Sequence, residues 1–560
     1  MAHVLAKLIA ERIASGLRRK ALTSCSRWAQ SCRVMGRPYP GPFSFRHHPW
    51  LREMHDSEAE LNVGQKAAQV GYTETVLNIS FFHIDVKGVD TLYVLPAQTP
   101  DASDFSAARF DPALELSPHL QNLFSDVKNV GHKRAGTTNL YIRGSRSRSG
   151  LKSIPTGLII LDEVDEMEQD NIPLAFERAS GQIQKMIWAV STPTIQRHGI
   201  NKLFLDTTME HFYFRCPHCS KMTELIFPNC LVITAQEVND DSIINSHLIC
   251  KECSGILPHE TKYEWLQSGK WVPSYTNRSA RGFHVNQLYS STVLPSELAK
   301  SYLKSLRDPS EEQEFYNSKL GLPHVVKGAG VSEEDLNRAL GDYKSYTFAP
   351  PNALVTMGID VGRWIHYEID QWFLPDGPIN SIDLNIQSFC KVLTFGKVLN
   401  FEELDLLMYN FRVSMAVIDA HPERRKAFEF ANRFYGIVKM CFYGVGVNGK
   451  AIHIGSDEDG TMSVEPVITV DRTSWLDLSL GRFRQSEMIK IPLDVNQEYR
   501  FHIKSLVRRY EKDKTGNPIG RYVKADNDED HYAHARNYSE IALPLATNLV
   551  NPSDITNQVT

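Results

Sequence analysis

Three groups of residues in this chain have the types and spacing to do chemistry. The first is the stretch GLIILDEVDEM, Gly157 to Met167, in which Leu158, Ile159, Ile160 and Leu161 run straight into Asp162 and Glu163. A short aliphatic run bounded by turn residues fits a strand buried on both faces of a parallel sheet. Paired carboxylates at its end would sit at the rim where open α/β sheets bind ligands. There one acid can hold Mg²⁺ and the next can orient an attacking water. Taken alone, the stretch fits equally well a strand ending in a solvated acidic turn. A phosphate cradle upstream would decide, and Lys66-Ala-Ala-Gln-Val-Gly71-Tyr72-Thr73 has the length of one. The common pattern is GxxxxGK[ST]. Here Gly71 and Thr73 keep their places, Tyr72 stands where the lysine belongs, and Lys66 opens the loop. Backbone N–H groups and a helix N-terminus would bind the phosphates, Thr73 would ligate Mg²⁺, and Lys66 would reach the β- and γ-phosphates from the other side.

The second group is cysteine-based. Cys216-Pro-His-Cys219 and Cys250-Lys-Glu-Cys253 are separated by thirty residues. Two such turns present four thiolates, which close a tetrahedral Zn²⁺ site with no open position for catalysis. His218 is the spare nitrogen. The third group is acidic. Apolar runs deliver Asp360 and Asp419 at strand ends, and Asp526, Asp528, Glu529 and Asp530 precede a helical pattern. Three acids from two strands and a helix can hold the two divalent ions of phosphodiester cleavage. Glu368 and Asp370 are further candidate ligands.

The elements that must position these groups can be read from the chain. Strands at Thr91–Leu95 and Ile187–Val190 alternate with helical patterns between about residues 60 and 200, which is one parallel α/β domain. Ser191 and Thr192 follow the second strand, where small hydroxyl residues can sense a γ-phosphate. Residues 104–120 read as a helix broken at Pro112 and Pro118, carrying Arg109. Arg143, Arg146 and Arg148 lie in a Ser/Gly loop, where they could touch phosphate or stand in solvent. The Pro- and aromatic-rich segment 38–57, with Trp50, could stack on an adenine or simply pack. A second α/β domain opens near Leu354. His502, Lys504, Arg508, Arg509, Lys512, Lys514, Arg521 and Lys524 offer a phosphate-backbone surface or a solvated hairpin.

Composition bounds the class. The chain has 560 residues and a net charge of -5, so any nucleic-acid surface has to be concentrated locally. No apolar run is long enough for a membrane helix. Nine cysteines, an odd number, argue against a disulfide framework and for a reducing compartment. Residues 1–37 carry eight Lys or Arg against one Glu, which suits a helical arm that binds DNA or a partner.

As a set, these features resemble the large terminase subunit of tailed bacteriophages, lambda-like class. The resemblance runs from about Pro42 to Leu545. It is carried by Phe43-Ser-Phe45 with Pro49-Trp50-Leu51-Arg52-Glu53, by the Lys66–Thr73 loop, and by Gly150 to Pro155 leading into Leu161-Asp162-Glu163-Val-Asp165-Glu166. It continues through Ser191-Thr192-Pro193, the two CxxC pairs, Gly282-Phe-His with Tyr289-Ser290, Phe315-Tyr316-Asn317 with Leu320-Gly321, and Gly358-Ile-Asp360.

The resemblance implies a P-loop (RecA/ASCE-like) parallel-sheet ATPase domain, a four-cysteine zinc-ribbon-like insert and an RNase H-like nuclease domain. The expected boundaries are a basic arm over 1–40, the ATPase over 41–205, the insert over 206–272, a linker over 273–350, the nuclease over 351–545 and a polar tail over 546–560. The implied activity is ATP-driven packaging of double-stranded DNA into procapsids, with endonucleolytic cutting of concatemers. Implied cofactors are ATP, Mg²⁺ (or Mn²⁺ in the nuclease) and Zn²⁺. Implied partners are the small terminase subunit, the portal and further copies in a ring, in the host cytoplasm, with no membrane and no lasting place in the virion. Lys66, Gly71, Tyr72 and Thr73 then belong to the nucleotide loop. Asp162 holds Mg²⁺, Glu163 orients water, Ser191 and Thr192 couple hydrolysis to movement, and Asp360, Asp419 and Asp530 hold the nuclease metals. Trp50, Arg109, Arg146, Arg148 and Glu368 are further candidates. Two departures stand out. Glu74 follows Thr73 where a basic residue is frequent, and the third nuclease acid could be Asp528 instead of Asp530. The alternatives are a helicase or translocase with an inactive RNase H-like domain, and a non-enzymatic zinc-dependent scaffold for DNA or capsid.

Overall fold

A computed structural model describes residues 24–124, 127–152, 154–377, 381–444, 449–455, 466–485, 487–512 and 518–547. Most of the basic arm and nearly all of the C-terminal tail lie outside the described residues. The chain divides into two compact units, 1–324 and 325–560.

The first unit is built on a parallel sheet. Its strands are β1 (Leu61–Lys66), β2 (Thr91–Leu95), β3 (Thr138–Gly144), β4 (Leu158–Asp162), β5 (Met186–Ser191), β6 (Glu210–Arg215) and β7 (Arg281–Val285). They lie in the order β6-β7-β1-β5-β4-β2-β3, and each neighbouring pair is parallel. All five residues of β4 and all five of β2 are buried, as a sheet covered on both faces requires. Helix α1 (Tyr72–Phe82) follows β1 through a five-residue loop and packs against the sheet.

Several sequence boundaries move. β6 and β7 flank the cysteine pairs in sequence but belong to the main sheet, so 210–215 and 281–285 are sheet strands. Helix Cys25–Cys32 is part of the core, with Trp28 fully buried and its indole N–H bonded to Asp85 at 2.9 Å. Residues from Ser24 onward are therefore body and not arm. The helical run 103–116 continues through Pro112, which opens a helical segment where no N–H is needed. The break comes at Ser117, before Pro118.

The second unit has its own sheet and its own core. Antiparallel β8 (Leu354–Val361), β9 (Ile365–Phe373) and β10 (Phe389–Val398) come first, then β11 (Met415–Asp419), β12 (Val438–Tyr443) and β13 (Val467–Val470), parallel to β8. The order is β13-β12-β11-β8-β9-β10. Helix α2 (Gln497–Ser505) precedes helix α3 (His531–Ala546), which lies across β8, β9 and β11. That close approach needs Gly358, because a Cβ there would meet the backbone of Ala535 and Ser539.

Candidate functional site

At the carboxyl ends of the first sheet the loop and the paired acids meet. Lys66 is buried, and its ammonium lies 3.0 Å from Glu163 Oε1. Burial alone would lower the lysine pKa, but Glu163 and Asp162 outweigh it and hold the pKa above its ordinary value. Lys66 thus reaches the acids from the first position of the loop. Gly71 has φ of 89° and caps α1, a conformation that suits glycine. The Tyr72 ring is buried against Gly64, so this position offers the loop its main chain only.

Asp162 is buried at the end of β4, next to β2, and accepts the Tyr93 hydroxyl at 2.6 Å. Burial and the neighbouring Glu163 push its carboxyl up to about 6, against the pull of Lys66 and of the Tyr93 and Thr73 hydroxyls. Its other oxygen, Oδ1, is buried with no hydrogen-bond partner. A hard-cation ligand beside the Thr73 hydroxyl has this character, so the residues fit a bound Mg²⁺. Glu163 sits in the left-handed region at φ 65°, an uncommon conformation for a non-glycine residue that points to a functional constraint. Ser191 Oγ lies 3.5 Å from Glu163 Oε2 and accepts the N–H of Asp165.

These groups border a cavity of about 630 Å³ lined by Lys66, Gly71, Thr73, Arg109, Glu163 and Thr192, with Tyr39, His47 and His48 on its aromatic side. Trp50 is not available to a base. It is fully buried and its indole N–H holds the Val70 carbonyl at 3.0 Å, which fixes the loop. Arg146 and Arg148 are exposed and are not among the cavity's lining residues. Glu74 is taken by Arg33 at 2.7 Å and Arg109 at 4.0 Å, which accounts for an acid after Thr73. Sequence reasoning missed Tyr93 and Asp165. The signal for Tyr93 was a hydroxyl inside an otherwise aliphatic strand, TLYVL.

The cysteine pairs converge. The ligand atoms of Cys216, Cys219, Cys250 and Cys253 all lie within 4.8 Å of one another, and Cys216 and Cys253 Sγ are 3.9 Å apart. Tetrahedral Zn–S bonds of about 2.3 Å put sulfurs about 3.8 Å apart. Backbone N–H groups of His218 and Glu252 face Cys216 and Cys250 Sγ at 3.4 Å. The donor set therefore fits a four-thiolate cation site. His218 is bonded to the Ile256 carbonyl at 2.6 Å.

In the second unit β8 and β11 run parallel, with Ile359 beside Ile418, so Asp360 and Asp419 leave adjacent strands at one level. Burial and Asp360 push Asp419 up to about 7. Asp530 is differently placed. It contacts Lys524 at 2.6 Å and His534 at 3.3 Å, and these two partners hold it well below the usual carboxylate range despite burial. Its neighbour His531 reaches Asp360 at 2.8 Å, and the ligand atoms of Asp360, His366 and His531 cluster within 4.8 Å. Glu368 lies on the Asp360 face, two residues below the Asp360–His366 pair and in register with Gly358. It is fully buried and bonded to Arg536 at 2.9 Å and Tyr499 at 2.8 Å. Burial and Asp370 raise its pKa to about 8. It is a structural acid, unsuited to ligate a metal at the rim; Asp370 shares Arg536 and the same fate.

A parallel sheet with a phosphate-loop-like turn and two acids at its rim, followed by an antiparallel-then-parallel sheet with acids on its central strands, defines the class: a P-loop ATPase fold and an RNase H-like fold in one chain. Residues 38–271 match the family described as phage terminase large subunit gpA, ATPase domain, and residues 280–372 match terminase large subunit gpA, endonuclease domain. The two matches together span more than half of the chain, which belongs to the gpA large-subunit terminase family. It is 22% identical over 440 residues to the terminase large subunit of Enterobacteria phage P21, covering 72% of this chain and 64% of that protein. It is 22% identical over 355 residues to that of Escherichia phage lambda, covering 56% of this chain and 53% of that protein. The chain thus spans less than two thirds of these relatives' lengths. The crystal structure of the HK97 bacteriophage large terminase is similar over 92% of this chain and 98% of that one, at 11% identity and a TM-score of 0.49.

Proposed function

We propose that the chain is the ATP-driven motor and DNA-cutting subunit of a viral packaging machine. The observation that carries this reading is the Lys66–Glu163 pair at 3.0 Å, set beside buried Asp162 at the head of a cavity large enough for a nucleotide. In this reading the Lys66–Thr73 loop and the start of α1 bind the phosphates, and Thr73 and Asp162 hold Mg²⁺. A bound Mg²⁺ supplies charge neutralisation at the transferred phosphoryl group. Glu163 orients the attacking water. Ser191 and Thr192, next to Glu163, relay the state of the γ-phosphate to the sheet. Arg109 faces the same cavity.

The second unit hydrolyses phosphodiester bonds of double-stranded DNA, with Asp360 and Asp419 as metal-holding acids and Asp530 positioned through Lys524 and His534. Divalent ions there, Mg²⁺ or Mn²⁺, supply water activation and leaving-group stabilisation. The four cysteines hold a structural Zn²⁺. The chain works with a small terminase subunit, a portal and further copies of itself in a ring, in the host cytoplasm. Among the described residues no helix is long and apolar enough to cross a membrane.

Glu163→Gln tests the motor. ATP hydrolysis is expected to fall roughly 10²- to 10⁴-fold while nucleotide binding survives; unchanged hydrolysis sinks the reading. Asp360→Asn tests the cutter separately. DNA cleavage should vanish with hydrolysis of ATP intact, and retained cleavage would move the nuclease centre elsewhere.

A further inference from the structure

Behind the Asp360 rim lies a second cluster of metal-ligating groups. Glu498 and His502 stand four residues apart on α2, so they share one helix face. Glu529 approaches from the segment before α3, and its carboxylate lies 3.3 Å from His502 Nε2. The ligand atoms of these three residues lie within 4.8 Å of one another. An independent observation points into the same place. His366 is 3% exposed, neither of its ring nitrogens has a hydrogen-bond partner, and its Nε2 lies 4.0 Å from Glu498 Oε1. A buried imidazole with both nitrogens unsatisfied is costly unless something binds it.

We propose that Glu498, His502 and Glu529, with His366 turned toward Glu498 at 4.0 Å, form a divalent-cation site next to the Asp360–Asp419 centre, whose Asp360 also lies within reach of the His366 ring. Two imidazoles and two carboxylates favour a cation of borderline softness, Zn²⁺ or Mn²⁺, over Mg²⁺ or Ca²⁺. Two neighbours bear on the charge balance. Lys397 lies 2.6 Å from Glu498 Oε1 and stands in for a cation on that oxygen. The Tyr532 N–H reaches His502 Nδ1 at 3.4 Å, near the limit of a hydrogen bond. When Nε2 binds the cation, the ring proton moves to Nδ1 and this weak contact is given up. The site would tie α2 to the start of α3. His366 also stacks on His531 with ring centroids 4.5 Å apart, so an ordered His366 would set the ring that reaches Asp360.

The test uses the full chain without nucleotide, in an Asp360→Asn/Asp419→Asn background that removes the proposed nuclease centre. Mn²⁺ is the probe, read by electron spin-echo envelope modulation from nitrogen-14. Neither the Asp162–Thr73 site nor the four-thiolate site offers an imidazole, and the imidazoles beside position 360, His366 and His531, are told apart from this cluster by the His502→Ala and Glu529→Gln variants. One Mn²⁺ with nitrogen coordination is expected, and an excess of Mg²⁺ should not displace it. Glu529→Gln, at an exposed side chain that leaves the fold alone, should weaken Mn²⁺ binding about tenfold or more, and His502→Ala should reduce the nitrogen signal. Absence of nitrogen-coordinated Mn²⁺ in the background protein overturns the proposal, as does a signal indifferent to both variants. Loss of cutting in the background protein concerns the nuclease reading alone.

Discussion

A carboxylate that is to hold a cation must first give up its proton, and Asp419 keeps its proton up to about pH 7. Its folded pKa is raised above the unfolded value, so between about pH 4 and pH 7 the folded chain binds a proton that the unfolded chain has lost. The contribution of Asp419 to stability therefore falls as pH rises through this window. Without divalent ions, the thermal midpoint of the second unit should decline from pH 5 to pH 8. Mn²⁺ should shrink that decline, and Asp419→Asn should flatten it; scanning calorimetry across the range reads all three. In the first unit Asp165 is buried and accepts the Thr194 N–H, the Thr194 hydroxyl and the Ile200 N–H, at 2.7, 2.7 and 2.8 Å. Asp165→Ala leaves these donors unsatisfied and should cost about 2 to 4 kcal/mol in urea unfolding.

Elements transmit these constraints, and two of them can be tested directly. Gly358→Ala puts a methyl group of β8 into the backbone of α3 at Ala535 and Ser539. Backbone cannot swing aside as a side chain can, so the second unit should lose about 3 kcal/mol or more, and cutting should be lost with it. Cys216→Ser should lower bound zinc by one per chain in elemental analysis, with a lower thermal midpoint in the first unit.

The strands that end in acids were legible, because a strand covered on both faces must be apolar and its polar residues collect at the rim. β4, β8 and β11 all follow this rule. The cysteine pairs were legible because metal ligation leaves a fixed local spacing. The membership of β6 and β7 in the main sheet was not, since parallel pairing across the cysteine hairpins leaves no local signature. Nor was the part played by His531, whose partner is 171 residues away. Trp50 and Tyr72 stood in the right stretch but face the core, and nothing in a residue's type says which way it turns.

At the scale of the molecule, the two sheets have separate cores, and the proposed nucleotide and nuclease metals fall to different units. Heating should therefore give two transitions. ATP or a non-hydrolysable analogue at about 100 times its Kd should raise only the first unit's transition, by the equivalent of about 2.7 kcal/mol. Mn²⁺ should raise only the second. A single transition shifted by both ligands would contradict this division.

The bond between His531 and Asp360 also imposes a calendar on the protein. Asp360 leaves the ribosome 171 residues ahead of its partner. At roughly 5 to 20 residues per second, that is an interval of roughly 10 to 30 s. During it β8 has neither α3 across it nor His531 on its rim, while the first unit's loop and acids have already been made. On the proposed function, a nascent chain thus completes its nucleotide cavity well before it completes the acidic rim assigned to DNA cutting. The order of synthesis alone would delay the more hazardous of the two proposed activities.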